Sequence, residues 1–107
     1  MTMISRIWHG YTTLDNADSY EKLLKEEIFV NIKDRTIKGY RGIQLLRRNT
    51  GDETEFITIM WFDSFDSVIE FAGKEYLNAV VPQNAQKILS RYDKQSQHYE
   101  VKIEDVQ

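Results

Sequence analysis

The sequence predicts an α+β fold whose elements run β-α-β-β-α-β, an antiparallel sheet with its helices on one face. Three observations predict it. Stretches rich in Ile, Trp, Tyr and Thr alternate with stretches whose apolar residues recur every three or four positions. A turn signal, Asn49-Thr50-Gly51-Asp52, joins two strand-like runs into a hairpin. The run after that turn, Phe56-Ile57-Thr58-Ile59-Met60-Trp61-Phe62, is apolar on both faces. A strand with one wet face would alternate instead.

The elements follow in order. Met3 to Thr12 has strand composition. Asp15 and Asn16 are cap-type residues, and Ala17, Tyr20, Leu24, Ile28 and Phe29 follow at helical spacing. Glu21, Lys22, Lys25 and Glu26 form the solvent side of that helix, which fades near Lys33. Gly39 and Gly42 flank the start of a second strand, Tyr40 to Arg48, and the third runs from Glu55 to Phe62. Asp63 or Ser64 caps the next helix; Phe65, Val68, Ile69 and Ala72 are its inner stripe, and Gly73 stops it. Glu75 to Val81 can add a helical turn. Pro82 suits the first position of a further helix, with Ala85, Ile88, Leu89 and Tyr92 facing inward. His98 to Ile103 is the last strand. This is the ferredoxin-like order, with the second helix in pieces. The bare face of the sheet needs cover, and a homodimer supplies it by setting two sheets face to face.

Composition narrows the function classes. At 107 residues the chain fits one domain, 1–107, with no repeat, low-complexity tract or linker. It carries 14 basic and 17 acidic residues, net −3, against the basic excess of a nucleic-acid binder. Lys38-Gly39-Tyr40-Arg41-Gly42-Ile43 is a poor match to an RNA-recognition strand: Arg41 stands where a small residue belongs and Gly42 where an aromatic does. With no cysteine there is no disulfide, cysteine zinc site or thiol nucleophile, and there is no G-x-S-x-G and no Gly-rich phosphate loop. No stretch has the length and apolarity of a membrane span, and Arg6 and His9 interrupt any signal-like run, so a cytoplasmic protein is expected.

Candidate chemistry gathers in Arg6-Ile7-Trp8-His9-Gly10-Tyr11-Thr12-Thr13. The first and last strands are expected to be antiparallel neighbours. Pairing across them can set His9 opposite His98, with Glu100 on the face of His98, a set resembling two histidines and a carboxylate around a metal. The alternative is that these histidines are structural or move protons, and no metal site is expected. Arg6 can hold an oxyanion or a carboxylate. Trp8 and Trp61 can stack on a flat ligand, or fill the core or a dimer interface. Tyr40, Tyr76 and Tyr99 carry phenols able to donate to a ligand.

Gly39-Tyr40-Arg41-Gly42, Trp61-Phe62-Asp63-Ser64, Phe71-Ala72-Gly73-Lys74-Glu75-Tyr76 with Ala79-Val80-Val81-Pro82, and the closing His98-Tyr99-Glu100-Val101 resemble the antibiotic biosynthesis monooxygenase superfamily over nearly the whole chain. The resemblance implies a dimeric α+β barrel with a pocket between sheet and helices. It also implies, for some members, oxidation of aromatic phenols with no metal, flavin or other cofactor. That chemistry needs an acceptor for a phenolic proton, a dry aromatic pocket and a donor for the developing oxyanion. On this reading His9 or His98 is the base, Arg6 the donor, and Trp8, Trp61, Tyr76 and Tyr99 contact a small aromatic substrate. Other members degrade haem through an asparagine, a tryptophan and a histidine. Those places hold Trp8, Phe71 and Val80 here, which argues against haem degradation. Strand alternation sets one further condition. Arg6 and Trp8 share a face, Ile7 and His9 share the other, and only one pair can line the pocket.

Overall fold

In the computed structural model, which describes residues 2–105, the chain forms β1 (Ile4–Thr13), α1 (Ala17–Leu23), a π-helical turn (Leu24–Ile28), α2 (Phe29–Asp34), β2 (Tyr40–Thr50), β3 (Glu53–Phe62), α3 (Phe65–Ala72), α4 (Gln83–Gln86), β4 (Arg91–Tyr92) and β5 (Gln97–Glu100). The architecture is α+β, as expected: one five-stranded antiparallel sheet with the helices on one face. β3 lies between β2 and β1, and the far edge of β1 is shared by β4 and β5.

Local chemistry explains the element ends. The β2–β3 hairpin closes at Gly51, whose φ of 79° is open to glycine at little cost. The Ser64 side chain accepts from the Ser67 amide at the head of α3, and Gly73 ends that helix with φ 88° while its N–H bonds the Ile69 carbonyl. A bulge between Tyr40 and Gly42 shifts the β2–β3 register and turns Arg41 outward, where it pairs with Asp63.

Four expectations need correction. The buried face of α3 is Ser67, Val68 and Phe71 rather than the expected stripe of Phe65, Val68, Ile69 and Ala72, since Phe65 and Ile69 are exposed. α4 is shorter than its apolar stripe suggested. It ends at Gln86, and Tyr92 belongs to β4, opposite Gly10. The edge of β1 is the stronger competitor: the Ser90 amide bonds the Tyr11 carbonyl, drawing the chain into the sheet. Pro82 stands just before the helix at ψ 152°, its carbonyl accepting from the Ala85 and Gln86 amides. The last strand ends at Glu100; the Val101 amide makes one more bond to the Met3 carbonyl.

The helix-side face of the sheet carries two apolar clusters. One joins Tyr20, Leu23 and Leu24 to Phe56, Ala85 and Leu89. The other joins Ile4, Met60 and Phe62 to Ile37, Val68 and Phe71. The ring of Tyr20 meets Phe56 edge-on at 4.8 Å between centroids.

Candidate functional site

The two clusters do not merge. Between them lies a cavity of about 60 Å³. Its floor is the sheet, through Arg6, Trp8, Ile43, Thr58 and Met60; its roof is the π-helical turn and α2, through Leu24, Ile28, Phe29 and Ile32. Phe71, Ala85, Ser96 and the segment of exposed Val80, half-buried Val81 and exposed Pro82 close the sides. The alternation question is therefore answered: Arg6 and Trp8 face the helices, and His9 faces the other way. The roof depends on the π-helical turn, a wider turn than the α-helix and one that recurs at functional sites.

Trp8 owes its pose to two neighbours. Its indole N–H donates to the Asp93 carbonyl at 2.9 Å. Its ring lies over Gly10, where a Cβ would come within 2.6 Å of the indole edge and 3.0 Å of Leu89. Glycine at position 10 is what lets the indole lie along the strand.

Arg6 is the chemically distinctive group. It is 3% exposed, yet its partners are all neutral. Nη1 donates to the Tyr76 carbonyl at 2.6 Å and lies 3.0 Å from Nε2 of His98. Nη2 donates to the Asn78 carbonyl at 3.1 Å. The guanidinium sits 5.5 Å from the centroid of the Phe71 ring. Burial lowers its pKa to about 10, and it stays charged at neutral pH. Buried charges are ordinarily paired, and this one has no carboxylate partner among the described residues.

His98 serves Arg6. Burial first, and the neighbouring cation second, lower its pKa to about 4, so the ring is neutral at pH 7. Nε2 then accepts from Arg6, which assigns the ring proton to Nδ1, an atom buried without a partner. The ring is fixed edge-on to Tyr76 at 5.3 Å and beside Phe65 at 6.0 Å. Its one lone pair is spent on Arg6, so in this arrangement it is not free to take a substrate proton.

The expected meeting of His9 with His98 does not occur. His98 opposes Arg6, three positions along β1 from His9, and an odd offset reverses the face. The physical reason lies in the stretch between β4 and β5. Tyr92 opposes Gly10 and Gln97 opposes Ile7, so residues 93–96 span the two positions Trp8 and His9. Glu100 opposes Ile4 and bonds Lys102, so the imagined metal set is dispersed. No group of three His, Cys, Asp or Glu side chains is arranged for a metal among the described residues. His9 instead holds Asp93 Oδ2 through Nδ1 at 3.2 Å, while its carbonyl accepts the Asp93 amide.

The other named residues divide in the same way. Trp61 and Tyr99 both oppose Ser5 and lie on the face away from the helices, Tyr99 at 56% exposure. Trp61 is thus no wall of this cavity. Tyr76 contributes its carbonyl to Arg6 and its ring to His98. Sequence reasoning placed Ile28 and Phe29 on the apolar stripe of the first helix without naming them as site residues, and it missed the carbonyls at 76 and 78, for which no local signal exists. Trp8, Phe71 and Val80, the three places where the resemblance puts the residues of haem chemistry, all line the cavity, with side chains that carry no iron ligand.

No family model matches this chain, and no curated protein does. Solved structures do match in fold. A Bacillus cereus protein named as a candidate antibiotic biosynthesis monooxygenase aligns over 100% of both chains at 13% identity, with a TM-score of 0.65. Rv0793 of Mycobacterium tuberculosis aligns over 97% of both chains at 17% identity, with a TM-score of 0.56. At these identities the likeness is one of fold: the chain has the α+β fold of a structure bearing the monooxygenase name.

Proposed function

We propose that this protein takes a small aromatic molecule with an ionisable oxygen into the cavity under Arg6 and Trp8 and oxidises it as a monooxygenase. The observation that supports the reading most is the buried, carboxylate-free guanidinium in a mainly apolar space with aromatic walls. Such a charge favours the anionic form of a bound acid and holds it in place against the apolar walls. Dioxygen is the oxidant in this reading: a phenol carbon gains one of its oxygen atoms, the other leaves as water, and the phenol becomes a quinone. His98 holds Arg6 in place and is a positioning residue. The cavity is smaller than the ~150 Å³ apolar space that accepts benzene, so an aromatic ring enters by displacing the wall at 80–82, where Val80 and Pro82 are exposed. Oxygen uptake across a panel of quinols and polyphenols tests the reading; no uptake with any of them overturns it.

A second reading is a non-catalytic small-molecule binder on the same fold. It is favoured by the engaged lone pair of His98, which leaves the cavity without a free base. Binding without turnover is its signature.

A homodimer belongs to both readings. Ile7, Ile57, Ile59 and Trp61 on the face away from the helices stay half-exposed, and Leu46 beside them is 41% exposed. A second copy laid face to face covers this surface. Sedimentation as a monomer at micromolar concentration overturns the pairing.

A further inference from the structure

The donor count of Arg6 says more about the ligand than its charge does. A guanidinium has five N–H groups. Two meet the Tyr76 and Asn78 carbonyls, two residues apart on one segment, and a third meets His98. Nε–H and one N–H of Nη2 have no acceptor among the described residues. Nε and Nη2 flank the side edge of the guanidinium, which presents two parallel N–H bonds when the Asn78 carbonyl takes the Nη2 hydrogen turned away from Nε.

We propose that this edge anchors a carboxylate, and that the cavity's ligand is a small apolar or aromatic monocarboxylic acid. The inference rests on the cavity being the ligand site and names the class of its occupant. A carboxylate offers two coplanar oxygens at the spacing of the guanidinium fork. A lone phenolate oxygen satisfies one donor well and leaves the other unmet in a buried place, which is costly. A phosphate or sulfate brings further oxygens and a second charge, for which the lining has no second cation and only the hydroxyl residues Tyr20, Thr58 and Ser96 among Trp8, Ile28, Phe29 and Phe71. The acid's tail is apolar for the same reason. An incoming carboxylate also supplies the counter-charge that the burial of Arg6 lacks. Arg6 is then the anchor of the substrate, and the reacting ring carbon lies further into the apolar space.

The test is a titration at pH 7 with benzoate, butyrate, benzamide and phenol, followed by calorimetry and by the fluorescence of Trp8. The Trp61→Phe variant removes the second indole, which lies on the other face. Benzoate and butyrate are expected to bind and to change the Trp8 signal. Benzamide and phenol should bind at least about tenfold more weakly, and Arg6→Lys, which keeps the charge but loses the fork, should weaken benzoate by about tenfold or more. Equal binding of benzoate and benzamide, no binding by either carboxylate, or binding without a Trp8 response overturns the proposal. Should Arg6→Lys fail to fold, the benzoate-to-benzamide ratio on the unaltered chain decides alone. Oxygen uptake, measured on the same samples, separates the two readings. Carboxylate binding with no uptake from any aromatic acid supports the anchor while overturning the monooxygenase. Uptake with phenols that benzoate does not inhibit does the reverse.

Discussion

On the helix side of the sheet Phe56 and Phe62 lose all contact with solvent, whereas on the opposite side of the same strand Ile57, Ile59 and Trp61 remain half-exposed. Both sides are apolar in composition. The helix side nonetheless buries a charge: Arg6 sits between two hydrophobic clusters, held by carbonyls and one neutral imidazole. The opposite side keeps its polar groups in pairs at its margin, such as Arg48 with Glu55 and His9 with Asp93. Hydrophobicity alone therefore does not distinguish a buried core from an apolar face left open. The distinguishing mark is where a charge is left without its opposite.

Substitutions can break that contrast or sharpen it. The largest effect belongs to Phe56→Ala, which empties the contact with Tyr20. A loss of about 3–5 kcal/mol in urea denaturation is expected, and a loss near zero would mean the helix face is not the core. Next comes pH. The folded pKa of His98, about 4, lies below the ordinary value of about 6.5. Above about 6.5 the ring is neutral in both states and adds no pH dependence. As pH falls from about 6.5 to about 4, the unfolded chain takes up a proton that the folded chain refuses, so stability is lost over that window. His98→Gln, whose amide oxygen can still accept from Arg6, should flatten this part of the stability–pH curve; an unchanged curve would mean His98 is not the titrating group. Ile59→Asp, on the open face, should cost the chain's own stability no more than about 1 kcal/mol while shifting sedimentation towards the monomer. Smallest is Arg6→Met. Freed carbonyls weaken the fold, and removal of a buried unpaired charge strengthens it, so the net change should stay within about 1 kcal/mol while carboxylate binding is lost.

The sequence made the fold legible because its signals are local. Asn49-Thr50-Gly51-Asp52 marks the hairpin, Ser64 and Gly73 bracket α3, and the alternation in β1 correctly separates Arg6 and Trp8 from His9. The site was legible only in part. Arg6 and Trp8 were read as ligand groups and share the cavity wall. Pairing between β1 and β5, however, is decided through space. The spacing between Tyr92 and Gln97 places His98 beside Arg6, and no periodicity in either strand records it. The same holds for the Tyr76 and Asn78 carbonyls, since a backbone oxygen leaves no trace in side-chain identity. The π-helical turn escaped for a related reason: Leu24, Ile28 and Phe29 suit a continuous helix as well as a widened one.

Glycine at position 10 has a consequence for the ligand. The indole of Trp8 rests where a methyl group would otherwise stand. Give residue 10 that methyl, and the ring has to swing off the strand, with the cavity that Trp8 already lines open beside it. The room available to a guest is thus set by a hydrogen atom two residues away from the tryptophan. Gly10→Ala acts as an internal plug: it would close the chamber from within while leaving the Arg6 anchor untouched.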